Sequence, residues 1–204
     1  MIRNDREYRN FRIERREHSE NEEPDYKVRG YASTFEKYVL WDDGENTIYE
    51  QIDRDAFDDA DMSDVIFLYN HEGMVYARQK NGTLQLSTDD HGLLTEADLS
   101  STQASRDMYE AIEAGLVDQM SFAFTVKDDD FDRETNTRII HQIGKVYDVS
   151  AVSIPANSGT DIAAVSARSY FDGVIEAQRA ERLAHEKALA LAKAKYNYME
   201  VKHD

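Results

Sequence analysis

Three residues in this 204-residue chain could together perform covalent acyl transfer. A histidine stands in Asn70-His71-Glu72, a serine in Gln119-Met120-Ser121-Phe122-Ala123-Phe124 and an aspartate in Tyr147-Asp148-Val149-Ser150. A serine hydroxyl is too weak an acid to attack a carbonyl unaided; it needs a base to take its proton, and a neutral imidazole suits that task near pH 7. The imidazole accepts on one nitrogen only when the other is hydrogen-bonded, and a carboxylate can supply that acceptor. Spacing alone does not single out this trio, because a chain with 6 histidines and 41 acidic residues offers many such combinations. The plain alternatives are a surface His71 in a loop, a Ser121 facing a core and an ion-paired Asp148.

The elements that must position the trio are strands, whose rigid backbones can bring distant residues together. Residues 65–69 form a continuous apolar run, as in a strand covered on both faces, and end at Asn70-His71. Residues 116–126 read as the strand that carries Ser121. Residues 138–143 and 145–154 read as the last two strands, the second carrying Asp148. Upstream, residues 11–15 alternate apolar and charged like a half-exposed strand. Residues 26–35 and 47–52 are further strands, and 53–62 a short helix or turn. Asn81-Gly82 predicts a β-hairpin, because both residues tolerate positive φ. Asp89-Asp90-His91-Gly92 predicts a second turn, before a strand over 93–99. A helix is expected from about 103 to 114, capped by Ser101 or Thr102, with Ala104, Met108, Ala111 and Ile112 on its apolar face and Gly115 closing it. The acidic, turn-rich segment 127–137 reads as a flexible loop.

Composition bounds the class. Hydrophobic residues at 41% and charged residues at 32% describe a chain that can bury a core rather than a disordered one. No apolar run approaches the roughly 20 residues of a spanning helix, and the first residues lack the apolar stretch of a secretory signal, so no membrane association is expected. The absence of cysteine excludes disulfides, thiolate zinc sites and a cysteine nucleophile. A net charge of −17 repels phosphate backbones and argues against nucleic-acid binding. The arginines at 3, 6, 9, 12, 15 and 16 are the local exception, read as a solvated strand or arm interleaved with acidic residues, or else as a contact for an acidic partner. From 174 to 195 there is neither Gly nor Pro, and alanines recur at helical spacing. This predicts a helix of about 30 Å with a mostly alanine stripe, which either packs on its own domain or projects to bind another chain.

The words around the trio resemble a known family. Val28-Arg29-Gly30-Tyr31-Ala32, Leu68-Tyr69-Asn70-His71, Gly92-Leu93-Leu94-Thr95-Glu96-Ala97, Gly115-Leu116-Val117-Asp118-Gln119-Met120-Ser121-Phe122-Ala123-Phe124 and Asp148-Val149-Ser150-Ala151-Val152 with Pro155-Ala156-Asn157 occur in order. They are similar to the "RGYA", "NH", "GLxxEA", "GxxxxMSFGF" and "EVSVVxxPAN" segments of the prohead (capsid maturation) proteases of tailed bacteriophages, which share the herpesvirus assemblin fold. Tyr49-Glu50-Gln51-Ile52 with Asp55-Ala56-Phe57 is similar to "RExIxPGAF", with Arg54 and Asp55 where that segment has proline and glycine. The resemblance covers about residues 11–167. Two departures stand out. Asp148 takes the place of a glutamate, one methylene longer, so its contact with His71 is expected to need a backbone shift or a bridging water. Ala123 takes the place of a glycine.

The resemblance implies an α+β protease domain over 1–168, a mostly antiparallel, barrel-like sheet flanked by helices, followed by a helical tail over 169–204 that tethers the enzyme to scaffold or capsid. It implies a serine endopeptidase that removes the scaffolding segment of the major capsid protein precursor, and cuts itself, inside the assembling procapsid in the host bacterial cytoplasm. Self-association is expected, with a dimer as one form it can take; no metal or other cofactor is. Ser121 would be the nucleophile, His71 the base and Asp148 its orienting acid. Assemblin relatives use a histidine as third member, which makes His141 the competitor of Asp148. Backbone N–H groups near Ala156 and Asn157 are the candidates for an oxyanion hole. Two other readings remain: a catalytically silent assembly or scaffold-binding protein of the same fold, and a metal hydrolase using His71, Glu72, His91 and His141, which lacks any HExxH-like spacing.

Overall fold

The computed structural model of the chain describes residues 6–14, 25–42, 44, 46–153, 180, 183–189 and 193. The chain divides into two units, Met1–Ala164 and Val165–Asp204. In the second unit, residues 180, 183–189 and 193 are helical and exposed. The rest of the expected tail helix lies outside the described residues, as do Ala156 and Asn157.

The first unit is built on strands β1 (Glu7–Glu14), β2 (Lys27–Thr34), β3 (Tyr38–Asp42), β4 (Thr47–Ile52), β5 (Ile66–Tyr69), β6 (Glu72–Arg78), β7 (Leu84–Thr88) and β8 (Gly92–Asp98). Helix α1 (Gln103–Glu113) follows, then β9 (Gln119–Asp132) and β10 (Thr137–Val152). The sheet runs β3-β4-β10-β9-β1-β2-β8-β7, and β5 and β6 branch from β10. Pairing is antiparallel except where β10 runs parallel to β4 and to β5.

The expected barrel-like closure is corrected. Among the described residues the path stays open from β3 to β7. Closure requires each strand edge to be consumed by one neighbour in a common stagger. Here one edge of β10 is shared in tandem, by β4 along residues 137–140 and by β5 along 148–151. The gap between them is bridged by the turn segment before β5: the Asp61 N–H donates to the Gly144 carbonyl at 3.0 Å, and the Val146 N–H to the Asp61 carbonyl at 3.1 Å.

β10 also replaces the two strands expected over 138–154. It is continuous through Gly144, with register shifts against β9 on both sides of that residue. Nor is 127–137 a loop. β9 and β10 continue to Asp132 and Thr137 as paired strands, leaving only a tight turn. The acidic side chains that suggest a loop are solvated along this ladder, with Asp128 and Asp130 exposed and Asp132 half-exposed.

The core lies between the sheet and α1. Met120, Phe122 and Phe124 alternate along β9 onto one face, and the rings of Phe122 and Phe124 stack at 4.3 Å. From α1, Met108, Tyr109 and Ile112 are buried; the expected Ala104 and Ala111 are only partly so. Thr102 caps the helix by accepting the Ser105 N–H at 3.1 Å. Gly115, at φ 71°, ends it in a Schellman turn, with Gly115 N–H on the Ile112 carbonyl and Leu116 N–H on the Ala111 carbonyl. One α-helix lies in this unit among the described residues, rather than several flanking helices.

The expectation of a solvated arginine arm is overturned at Arg9. β1 lies between β9 and β2, and its Glu7 and Arg9 enter a buried ionic cluster with Glu50 of β4 and Arg138 of β10. Arg9 Nη2 donates to Glu50 Oε2 and to Glu7 Oε2, each at 2.7 Å. Arg138 donates to both Glu7 oxygens, to Glu50 Oε2 at 3.0 Å and to Asp129 Oδ2 at 2.7 Å. The Tyr38 hydroxyl also donates to Glu50. Burial pushes the Glu7 carboxyl up, but the Arg9 charge and the hydrogen bonds from Arg138 overcome this and hold it down to about 2.

Candidate active site

His71 owes its position to a hairpin that the sequence reading did not identify as one. Tyr69 of β5 pairs with Glu72 of β6, which leaves Asn70 and His71 as a two-residue turn. Both have positive φ, 50° and 62°, the signature of a type I′ turn. Asparagine is at home there; histidine is strained by roughly 1 kcal/mol or more. The turn is bolted to β10: the Asn70 N–H donates to the Ala151 carbonyl at 3.0 Å, and the Ser153 N–H to Asn70 Oδ1 at 3.2 Å.

The Asn81-Gly82 pair, by contrast, forms no hairpin. Residues 79–81 make a single 3-10 turn, and only Gly82 has positive φ, 77°. The Asn81 side chain accepts from Thr83 at its amide and hydroxyl, which keeps Asn81 inside that turn. β6 then pairs back onto β5 while β7 pairs forward onto β8.

Ser121 and Asp148 come from adjacent strands in fixed register. Ser150 of β10 lies opposite Ser121 of β9, and Asp148 lies opposite Ala123. Side chains two apart on a strand share a face, so Asp148, Ser150 and Ser121 project together, away from the face of Phe122. His71 completes the group. Its Nδ1 lies 2.6 Å from Asp148 Oδ1 and its Nε2 lies 2.7 Å from Ser121 Oγ. A carboxylate only accepts, so Nδ1 carries the proton and Nε2 is free to accept from the Ser121 hydroxyl. Ser121 is 0% exposed and Asp148 3% exposed, which removes most competing water from the chain of bonds. The contact expected to need a backbone shift or a water is direct.

His141 is on β10 as well, but seven residues before Asp148, about 23 Å away along an extended strand. Its Nδ1 pairs with Asp53 Oδ2 at 2.6 Å, and that hydrogen bond raises its pKa above the ordinary histidine value. His91 packs against the ring of Tyr31 at 4.4 Å. The three histidines of the metal-hydrolase reading thus engage separate partners, and no group of acidic and histidine side chains among the described residues is arranged to hold a metal ion. Among the described residues, Ser153 bonds to Asn70 of the turn.

Two residues at the site were not picked out from the sequence. The Ser150 hydroxyl donates to Asp148 Oδ1 at 2.8 Å and accepts the backbone N–H of His71 at 3.2 Å. The Tyr8 ring meets the His71 ring edge-on at 4.5 Å. A serine two places from a carboxylate in a strand is a usable signal for the first. Nothing local signals the second, because Tyr8 reaches the site through the pairing of β1 with β9.

This geometry can move a proton from Ser121 to an imidazole held by a carboxylate, which is the arrangement of a serine hydrolase. Among the described residues no helix is long and apolar enough to cross a membrane. No curated protein and no solved structure matches the chain. A family model described as caudovirus prohead serine protease matches residues 11–172, well over half of its length. The chain belongs to the caudovirus prohead serine protease family.

Proposed function

We propose that this protein is the endopeptidase that matures a phage procapsid by cutting the scaffolding segment from the major capsid protein precursor, and that it also cuts itself. The observation that carries the reading is the unbroken chain Asp148–His71–Ser121, with both links under 2.8 Å. Ser121 Oγ attacks the scissile carbonyl as His71 Nε2 takes its proton; His71 returns the proton to the leaving amine; water then releases the acyl group by the same route in reverse. Asp148 holds the imidazole in the tautomer that can accept, and stabilises the imidazolium that forms. His141, engaged with Asp53, is not favoured for that role. Backbone N–H groups near Ala156 and Asn157 would stabilise the oxyanion, a contribution of about 3 kcal/mol in comparable sites.

The segment 169–204 acts as a tether to the scaffold or capsid chain, raising the local substrate concentration without high intrinsic affinity. The enzyme works as a self-associating protein inside the assembling procapsid, in the host cytoplasm. The test is co-expression with the capsid precursor, followed over time by mass-mapped products. The wild-type chain shortens both the precursor and itself, and Ser121→Ala shortens neither. Equal cleavage by the two, abolished by a chelator, would overturn the serine mechanism. Normal assembly with no cleavage by either would instead identify a silent assembly protein.

A further inference from the structure

We propose that Ser150 is a positioning residue for the catalytic pair, its hydroxyl tying the backbone of His71 to the carboxylate of Asp148. The inference rests on the serine-protease reading above and adds a residue to it. A hydroxyl has one proton. The His71 N–H donates to Ser150 Oγ at 3.2 Å, and the Ser150 hydroxyl in turn donates to Asp148 Oδ1 at 2.8 Å. That same Oδ1 receives Nδ1 of His71 at 2.6 Å. Base and acid are therefore joined twice, once through the imidazole and once through the Ser150 hydroxyl.

Each end of this bridge answers a specific need. His71 is the second central residue of a two-residue hairpin turn, and its N–H is not used in the β5–β6 ladder. The His71 N–H is only partly buried, and Ser150 gives it a fixed acceptor at the residue whose φ is positive. At the other end, an aspartate stands where the family resemblance leads one to expect the longer glutamate. A carboxylate held by one donor can rotate about its own side-chain bonds; a second donor from the same strand removes that freedom. Ser150 is 0% exposed and lies opposite Ser121 in the β9–β10 register, so it is fixed by the ladder that fixes the nucleophile. It touches no reacting atom. Its effect reaches Ser121 only through His71 and Asp148.

The probe is a fluorophosphonate, which labels an activated serine whatever the peptide preference of the enzyme. The readout is the second-order labelling rate of Ser121 in the full chain, with thermal unfolding followed in parallel. Ser150→Ala lowers that rate by about 10- to 100-fold, as expected for loss of alignment, with the unfolding midpoint little changed. Ser150→Thr, which keeps the hydroxyl, recovers most of the rate. In an Asp148→Ala background, Ser150→Ala costs clearly less than it does in the wild-type chain, because the carboxylate end of the bridge is gone. A merely structural serine gives the opposite pattern: a lower unfolding midpoint, and losses that multiply in the double variant. An unchanged labelling rate in Ser150→Ala, or an Ala variant that does not fold, overturns the proposal. A wild-type chain that takes no label at Ser121 overturns the serine-protease reading itself, and this proposal with it.

Discussion

Strand β10 carries a buried polar cluster near each end, and the two are built to different specifications. Toward its start, Arg138 closes a ring of fixed charges with Glu7, Arg9, Glu50 and Asp129. Toward its end, Asp148 and Ser150 join His71 and Ser121 in a line with one fixed charge and a proton that can move. The first cluster is saturated: each charge has opposite partners, so nothing remains to react. The second ends on a hydroxyl oxygen that can be made nucleophilic. β1 serves both, turning Glu7 and Arg9 to one face and Tyr8 to the other, against His71. Burial raises the stakes at both sites; what separates a structural site from a reactive one is whether the hydrogen-bonding pattern is closed.

Breaking each cluster separately tests that contrast. The largest effect is expected in activity: Ser121→Ala lowers kcat by about 10⁴-fold or more, while its unfolding free energy, measured in urea, moves by about 1 kcal/mol or less. Arg138→Ala does the reverse in kind, lowering unfolding free energy by about 3–5 kcal/mol through the uncompensated carboxylates it leaves behind. If Arg138→Ala is as stable as wild type, the cluster is not the structural site described above.

Acid sharpens the comparison next. The Glu7 carboxyl has its folded pKa depressed to about 2 from an ordinary value of 4.5. Its contribution is therefore fully present above about pH 4.5 and is lost as pH falls toward 2, a change on the order of 3 kcal/mol. Urea midpoints recorded across that window should fall, and Glu7→Gln should flatten the fall. The smallest effect on stability concerns the turn. His71→Gly abolishes activity yet raises unfolding free energy by up to about 1 kcal/mol, because glycine takes positive φ without strain. A loss of stability in that variant would mean that the imidazole contacts outweigh the strain.

The candidate site was more legible in the sequence than the structural cluster, for physical reasons. His71, Ser121 and Asp148 sit in strand-terminal words whose neighbours could be read locally. α1 was legible too, since its cap at Thr102 and its stop at Gly115 are local chemistry. Arg9 was not. Alternating charge along a strand reads as a solvated face, and only the placement of β1 beside β9 buries it. Its cluster partners Glu50 and Arg138 lie 41 and 129 positions away, and Glu7 and Arg9 precede the family match that begins at residue 11. The two asparagine turns make the same point. Asn81-Gly82 has the stronger local preference for a hairpin, yet tertiary pairing puts the hairpin at Asn70-His71. The 127–137 segment reads as a loop because a ladder with a solvated face shares its composition with one.

That hairpin has a consequence for the history of the protein. In the proposed mechanism, folding and chemistry pull in opposite directions at position 71: the turn favours glycine or asparagine, and proton transfer requires histidine. On that reading, random change there leads away from the enzyme whenever selection on cleavage relaxes, and the backbone of the turn does not oppose it. In any lineage that keeps this hairpin, the residue at the second turn position records whether cleavage, or only assembly, has been under selection.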